Sequence, residues 1–266
     1  MLCPKRANCH TVRMTDVAPE PITVSAPALD GTSSSSQRWS DLAFLHWRVD
    51  AARVSPLLPP GLRADEFDGS SWIGLIPFVL DRARVLGSPP VPYFGSFVEV
   101  NVRLYAVDSA GRRGVVFVSL EASRLAAVLA ARALFSLPYV WSSTHVRRRG
   151  NEYRYTARRH LHREVGSDIR VTASDVAIVD DPLAHFLSAR WALFTRRGAH
   201  TLHLPNEHDP WPLFEARLDG LDDTLLAAAG FGDLAGRTPD SVLFSPGVTT
   251  RFGQPSRVEQ HPGGLA

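Results

Sequence analysis

The fold is decided by the stretch Phe97-Val98-Glu99-Val100-Asn101-Val102-Arg103-Leu104-Tyr105, in which apolar and polar residues alternate without a break. Successive side chains of a strand point to opposite faces, so this alternation predicts a strand with two different faces. The apolar face predicts contact with the core. The other face gathers Glu99, Asn101, Arg103 and Tyr105: a carboxylate, an amide, a guanidinium and a phenol. Whether this polar row meets water or a cavity decides which functions are available to the protein.

The residues that follow the polar row predict a turn, a second strand and a helix. Residues 115–120 are almost continuously apolar, which is typical of a strand that is buried on both faces. Residues 121–135 contain good helix formers, and a helical wheel puts Arg132 near the middle of the apolar stripe. A charge at a buried position needs a partner, and Glu99 is the carboxylate we expect there. The stripe consists of Leu125, Val128, Leu129 and Phe135.

Further strands and short helices are predicted on both sides of this stretch. Residues 39–49 alternate as a strand, and Pro77 predicts an edge or a bulge in the strand over residues 71–80. Asp50 and the pair Asp181-Pro182 each mark the start of a short helix. Strands and helices do not alternate regularly, which argues against a doubly wound fold. The pattern predicts an α+β protein, mainly antiparallel β, with a curved sheet or distorted barrel and a few helices at its margins.

The composition predicts a single domain between two tails. Residues 1–37 are rich in Pro, Ala, Ser and Thr and predict a disordered N-terminal tail. The body spans residues 38–258, which is long enough to bury a sizeable core, and residues 259–266 form a flexible C-terminal tail. Met14 is a candidate for the start of translation, as an alternative to Met1.

Charge and hydropathy argue against nucleic acid and membrane partners. The formal net charge is only +2, so no strong field attracts a polyanion. No apolar run approaches the roughly 18 residues of a membrane-spanning helix, and the basic N-terminus lacks the apolar segment of a signal peptide. We therefore expect a cytoplasmic protein whose partner is a small molecule.

Several chemistries are excluded by residues that the chain lacks. Lys5 is the only lysine, so from residue 6 onward no side chain can form a Schiff base. Both cysteines, Cys3 and Cys9, precede the body, which excludes a cysteine nucleophile or a cysteine metal site there. The chain also lacks the glycine-rich loops of nucleotide-binding proteins and the nucleophile elbow of serine hydrolases. No cofactor is expected.

The candidate for a metal site is the segment His160-Leu161-His162-Arg163-Glu164. In the strand predicted over residues 151–165, its two histidines and its glutamate share one face. Arg154 and Arg158 share that face and would repel a cation. A solvated strand face is the interpretation we favour, and no metal is expected.

His46 and Trp211 are further candidates for a binding site. His46 lies in an apolar strand, where a lone histidine is commonly a hydrogen-bonded core residue. Trp211 lies between Pro210 and Pro212, which predict a rigid loop that lines a pocket or packs against the body.

The polar row of residues 99–105 has two interpretations as well. It is either a solvent-facing strand, with the stem of Arg132 covering apolar surface, or a polar cluster that faces a cavity.

The body also contains a series of short motifs rich in aromatic residues, proline and glycine. They are Arg38-Trp39-Ser40-Asp41-Leu42, Phe44-Leu45-His46-Trp47, Leu58-Pro59-Pro60-Gly61-Leu62, Phe67-Asp68-Gly69, Trp72-Ile73-Gly74-Leu75-Ile76-Pro77-Phe78, the polar row, Leu137-Pro138-Tyr139, Ala189-Arg190-Trp191 and His208-Asp209-Pro210-Trp211-Pro212-Leu213. In this order the motifs resemble the YqjF-like family of uncharacterised bacterial proteins, over residues 38–258. The family is placed in the acetoacetate decarboxylase-like superfamily. The resemblance therefore implies a single domain with a curved, mostly antiparallel sheet around a central cavity.

The same resemblance bears on activity. Decarboxylases of this superfamily carry a glutamate on a strand that leads into the cavity, and a Gly-Arg-Glu…Phe-Pro-Lys-Lys segment with the Schiff-base lysine. By position, Glu99 resembles that glutamate and residues 131–140 resemble the lysine segment, with Arg132 and Pro138 keeping their types. Tyr139-Val140 replaces the lysine pair. The resemblance thus implies the fold without Schiff-base decarboxylation, and by analogy it implies a homo-oligomer.

Three functions remain open from the sequence. The first is binding of a small anionic or carbonyl-bearing molecule in a sheet-lined cavity, by Glu99, Arg103, Arg132 and Tyr139. The second is a lysine-independent enzyme of lyase or hydrolase type, with Glu99 and Tyr139 as acid–base groups. The third is a structural or interaction protein whose polar row is only surface. Further ligand contacts are expected from Asn101, His46 and Trp211.

Overall fold

A computed structural model describes residues 17–31, 33–85, 96–125, 128–129, 132–133 and 136–259 of the chain. The strands in this part of the chain are β1 (Ser35–Val49), β2 (Leu62–Ala64), β3 (Ser71–Val85), β4 (Phe97–Asp108), β5 (Arg113–Ala122), β6 (Tyr139–Arg149), β7 (Glu152–Arg159), β8 (Gly166–Ala177), β9 (Ala192–Arg197), β10 (His200–Glu207), β11 (Phe214–Asp223), β12 (Ser241–Phe252) and β13 (Ser256–Arg257). The short helices α1 (Ala51–Val54), α2 (Pro182–Ser188) and α3 (Leu225–Ala228) lie between them, and the described residues of 125–133 are also helical. Single 3-10 turns cover Ser55–Leu57 and Gly232–Leu234. None of the described helices has the length and apolar character to cross a membrane.

The strands form two closed rings that share one arc. The shared arc is β12–β1–β3–β4–β5. One ring is completed by β6, β7, β8 and β11, and the other by β9 and β10. Most neighbours are antiparallel, while β5 is parallel to both β6 and β9. The predicted mainly antiparallel, barrel-like sheet with marginal helices is therefore confirmed.

Strand β4 lies in the shared arc, and both of its faces are enclosed. The apolar face packs into the main hydrophobic core, where Val100, Val102 and Leu104 are fully buried, as the alternation predicts. The opposite face is not solvated either, since Glu99 and Asn101 are only 2% and 4% exposed. A strand at the surface would leave such groups in water. The polar row therefore faces the interior of the protein.

Local signals in the sequence are confirmed at several positions. Asp50 caps α1 and Asp181 caps α2, each by accepting hydrogen bonds from backbone N–H groups of the first turn. Pro77 lies in β3 opposite a register shift of β1 between Ser40 and Leu45. Proline has no N–H to donate, so it is tolerated where the ladder is already interrupted.

The N-terminal tail predicted over residues 1–37 is partly bound to the body, which corrects its boundary. Strand β1 begins at Ser35. Before it, the carbonyl of Thr23 accepts a hydrogen bond from an indole of the body at 3.0 Å, and the N–H of Leu29 donates to a carboxylate at 3.1 Å. Composition did not reveal this, because the partners come from distant strands. Met14 and the chain from residue 260 lie outside the described residues.

The helix predicted over residues 121–135 begins later than predicted. Strand β5 continues through Ala122, because it pairs with β4 and β6 on its two sides. Glu121 is consequently a fully buried strand residue, and its carboxylate pairs with Arg159 at 2.8 Å. Phe135 of the predicted apolar stripe lies outside the described residues.

The face that this helix presents to the body also differs from the prediction. Val128 is buried at 2% exposure, but Leu125 and Leu129 are 42% and 56% exposed. Arg132 is exposed too, so the prediction that it is a buried partner of Glu99 is wrong.

Candidate functional site

A cavity of about 180 Å³ lies against the polar face of β4. The strands that line it are β1, β3, β4, β5, β9, β10 and β12, which are the members of the second ring. Three residues of the polar row, Glu99, Asn101 and Arg103, contribute to the lining. Apolar side chains complete the wall, among them Ile76, Phe78, Leu80, Leu193, Leu204 and Phe252.

Glu99 and Tyr139 form a hydrogen-bonded pair. Tyr139 Oη donates to Glu99 Oε2 at 2.8 Å, and Asn101 Nδ2 lies 3.4 Å from Glu99 Oε1. Burial raises the pKa of Glu99 to about 7, although both hydrogen bonds lower it, and the nearby charge of Glu121 adds a smaller increase. Burial, followed by the charge of Glu99, raises the pKa of Tyr139 well above its usual value, so the phenol keeps its proton. The pair thus holds a proton that can be exchanged near neutral pH.

Arg103 presents a guanidinium to the cavity without a carboxylate partner among the described residues. Its Nε donates to Tyr105 Oη and its Nη2 donates to the carbonyl of Leu187, both at 3.0 Å. The guanidinium carbon lies 5.5 Å from the ring centre of Phe44. Each of these contacts orients the guanidinium, but none of them neutralises its charge.

His46 lies behind this arginine and does not line the cavity. Its Nε2 is 2.6 Å from Tyr105 Oη, and the side chain is completely buried. Burial, and then the positive charges of Arg103 and Arg190, lower the pKa of His46 well below its usual value, so the imidazole is neutral. His46 therefore supports Tyr105 and, through it, Arg103.

Arg190 is a second cavity arginine, which was not predicted from the sequence. It follows α2, and its side chain is 5% exposed. Its Nε donates to the carbonyl of Phe186 at 2.7 Å and its Nη1 pairs with Asp65 Oδ2 at 2.6 Å. Asp65 also pairs with Arg113, so one buried carboxylate serves two guanidinium groups. Arg190 Nη2 is buried and finds no hydrogen-bond acceptor in the part of the chain that the structure describes.

Two tryptophans form a further part of the wall. Trp211 lines the cavity and donates from Nε1 to the carbonyl of Ser188 at 3.0 Å. Its ring stacks on that of Trp39, with 6.1 Å between ring centres. The Nε1 of Trp39 and the Oδ1 of Asn101 are buried, and neither has a hydrogen-bond partner within the described residues. Buried polar atoms are nearly always bonded in folded proteins, so these atoms mark places for ligand or water contacts.

The predicted site residues fall into three groups. Glu99, Asn101, Arg103 and Trp211 line the cavity, and Tyr139 bonds to Glu99 from beside it. His46 lies behind the wall, and Arg132 is exposed and absent from the lining. Trp39, Arg190 and Asp65 also belong to the site, although they were not predicted from the sequence. A signal existed for the first two, because both lie in short motifs that carry the family resemblance.

The histidine-rich segment lies apart from the strand face on which it was predicted. β7 ends at Arg159, so His160 and the residues after it follow the strand instead of continuing it. Among the described residues, no group of three His, Cys, Asp or Glu side chains is arranged to hold a metal ion.

The chain matches one protein family by sequence and several solved proteins by structure. The profile of the DUF2071 family, described as an uncharacterized conserved protein, matches residues 36–249. The uncharacterized protein YqjF of Bacillus subtilis is 31% identical over 209 residues, which cover 78% of this chain and 85% of that protein. An acetoacetate decarboxylase-like enzyme from Sphingomonas wittichii has a similar structure, with a TM-score of 0.62 at 15% identity, over 87% of this chain and 95% of the other. Acetoacetate decarboxylase from Legionella pneumophila gives a TM-score of 0.59 at 12% identity, over 89% and 94%.

Proposed function

The chain belongs to the DUF2071 family and has an acetoacetate decarboxylase-like fold, and from this premise we propose that it binds a small anionic or carbonyl-bearing molecule in the cavity. The observation that carries the proposal is the excess of positive charge around the cavity. Arg103 and Arg190 both line the cavity, and the charges of the described residues around them are not balanced.

The charges near Arg190 leave an excess of one positive charge. Asp65 is 1% exposed and contributes one negative charge, whereas its partners Arg113 and Arg190 contribute two positive charges. Arg103 adds a further positive charge, which is bonded only to neutral acceptors. Uncompensated buried charge is costly, and an anion in the cavity would compensate it.

The unbonded polar atoms support the same proposal. Arg190 Nη2 and Trp39 Nε1 are donors, and Asn101 Oδ1 is an acceptor; all three residues line the cavity. Guanidinium donors bind carboxylates with strong, charge-assisted hydrogen bonds. With Glu99 protonated, its O–H can also donate to a carbonyl or carboxylate oxygen of the ligand.

Binding can be tested with a panel of acetate, acetoacetate and benzoate, together with the uncharged amide of each acid. At a hundredfold excess over Kd, a ligand should stabilise the protein by about 2.7 kcal/mol, or roughly 5–10 °C in Tm for a domain of this size. We expect the acids to stabilise the protein at pH 6 and the amides to do so less.

Matched arginine variants locate the binding site. Arg103→Met and Arg190→Lys should lose most of the ligand-induced shift, because they remove fixed guanidinium donors from the cavity. Arg132→Ala is the control, since Arg132 is exposed and outside the cavity lining. The proposal fails if no member of the panel binds, or if Arg132→Ala loses the shift while the cavity variants keep it.

The pair of Glu99 and Tyr139 favours a second candidate function, a lysine-independent enzyme in the same cavity. A buried carboxyl with a pKa of about 7 can accept and return a proton near neutral pH, and Tyr139 orients that carboxyl by donating a hydrogen bond to its Oε2. Proton exchange next to a carbonyl is the simplest reaction that such a pair supports. Schiff-base chemistry is excluded for the body, because no lysine follows Lys5.

Deuterium exchange distinguishes catalysis from binding alone. Acetoacetate and acetone are incubated with the protein in D2O, and the loss of the C–H signals is followed by NMR against a protein-free sample. Glu99→Gln should abolish any acceleration while ligand binding persists. An absence of acceleration in the native protein would leave binding as the function.

A further inference from the structure

Aromatic side chains make up much of the cavity wall. Six aromatic rings are part of the lining: Trp39, Phe78, Phe117, His208, Trp211 and Phe252. We infer that the ligand is a monocyclic aromatic carboxylate, an inference that rests on the proposed binding function. The ring of the ligand would pack against this wall, and its carboxylate would accept hydrogen bonds from the unbonded donors of the cavity.

The ring of Trp39 is at the centre of the wall. It stacks on Trp211 at an interplanar angle of 10°, and it meets Phe78 and Phe252 edge to face at 5.9 and 6.1 Å between ring centres. These contacts make one connected aromatic surface. Rings attract each other in offset-stacked and edge-to-face arrangements beyond the effect of buried area. A flat ring in the cavity would extend this arrangement, whereas a saturated ring of equal size would not.

Hydrogen-bond donors for a carboxylate line the same cavity. Trp39 Nε1 belongs to the aromatic wall itself, and Arg190 Nη2 comes from the end of α2; both atoms are buried and unbonded within the described residues. Each oxygen of a carboxylate has two acceptor positions, so a carboxylate can accept a hydrogen bond from either donor. An acid is therefore favoured over an uncharged aromatic compound.

The volume of the cavity favours a ligand with one ring. Its volume is about 180 Å³, and a closed apolar cavity of about 150 Å³ is known to hold benzene. One six-membered ring with a carboxylate fits such a space, whereas the second ring of a fused pair would have to extend into the opening of the cavity.

Calorimetric titration at pH 6 with benzoate and cyclohexanecarboxylate tests the inference. The two acids have the same number of carbon atoms and the same charge, so they differ mainly in the flat aromatic ring. We expect benzoate to bind about fivefold to tenfold more tightly, which corresponds to one or two ring contacts. We also expect 2-naphthoate to bind more weakly than benzoate.

Variants of the aromatic wall test whether it causes the preference for benzoate over cyclohexanecarboxylate. Trp39→Leu and the milder Phe117→Leu should each reduce the ratio of the two affinities towards one, and circular dichroism confirms that each variant is folded. Trp141→Leu is the matched control, because Trp141 is 37% exposed and does not line the cavity.

The outcomes separate this inference from the proposed function. Equal affinities for benzoate and cyclohexanecarboxylate, with both dependent on Arg190, would overturn the aromatic ligand and keep anion binding. A ratio unchanged in both wall variants would overturn the assignment to the wall. If acetate and both ring acids fail to bind, the proposed function and the inference are both refuted.

Discussion

Replacing Glu99 by glutamine should change how the stability of the protein depends on pH. In the folded state, burial raises the pKa of Glu99 to about 7, whereas a glutamate in an unfolded chain titrates near ~4.3. Below about pH 4 the group is protonated in both states. Between the two pKa values only the folded state holds the proton, so the native protein should lose stability as pH rises through this window.

The size of the effect follows from the shift in pKa. Each unit corresponds to about 1.4 kcal/mol, so a shift of between two and three units predicts a loss of about 3 kcal/mol by roughly pH 8. Glutamine does not titrate, and its amide oxygen can still accept the hydrogen bond from Tyr139. The free energy of unfolding of Glu99→Gln, relative to the native protein, should therefore rise by about 3 kcal/mol between about pH 4 and 8.

Urea unfolding followed by tryptophan fluorescence measures this difference at each pH, and contributions of all other groups cancel when the two proteins are subtracted. Tyr139→Phe provides a second measurement. This substitution removes a hydrogen bond that lowers the pKa of Glu99, so the pKa of Glu99 in the variant should be higher still. The variant should therefore continue to lose stability up to a higher pH than the native protein does. A constant difference between Glu99→Gln and the native protein over the whole range would refute the reasoning, because it would mean that folding does not perturb Glu99.

Three further predictions concern the walls of the site. Asp65→Asn should destabilise the protein by about 3–5 kcal/mol in urea unfolding, because buried Arg190 and half-buried Arg113 lose their shared carboxylate; an unchanged free energy would contradict this ion-pair triad. Gly247→Ala should cost more than about 2 kcal/mol, since Gly247 has a φ of +115° and a Cβ there would overlap the carbonyl oxygen of Trp39. The control Gly236→Ala, at an open position, should stay within about 0.5 kcal/mol. Benzoate affinity should fall roughly tenfold as Glu99 ionises, from pH 6 to 8, and titrations of Glu99→Gln should show no such decrease.

The helix caps and the strand alternation were predictable because they depend on neighbours in sequence. Asp50 and Asp181 accept hydrogen bonds from N–H groups two or three residues away. The alternation of β4 required only the period of a strand. The wrong start of the helix predicted from residue 121 has the opposite origin, because pairing of β5 with β4 and β6 extends the strand into residues with high helix propensity.

The residues missed at the site are those brought in over long distances. Arg190 meets Asp65 across 125 positions of the chain, and that ion pair leaves one guanidinium nitrogen for the cavity. Nothing near Asp65 in the sequence distinguishes it from a surface aspartate. Trp39 lies in an ordinary aromatic strand, and only its ring contacts and its unbonded Nε1 show its place in the wall.

The sequence by itself determined the chemical limits of this protein. It excluded a Schiff-base lysine from the body, it put a carboxylate, an amide and a guanidinium on one face of β4, and its motifs carried the family resemblance. Only the tertiary structure decided that this face meets a cavity instead of water. The physical reason is the closure of two rings on the shared arc, which encloses both faces of β4 and makes burial, not solvent, set the proton affinity of Glu99.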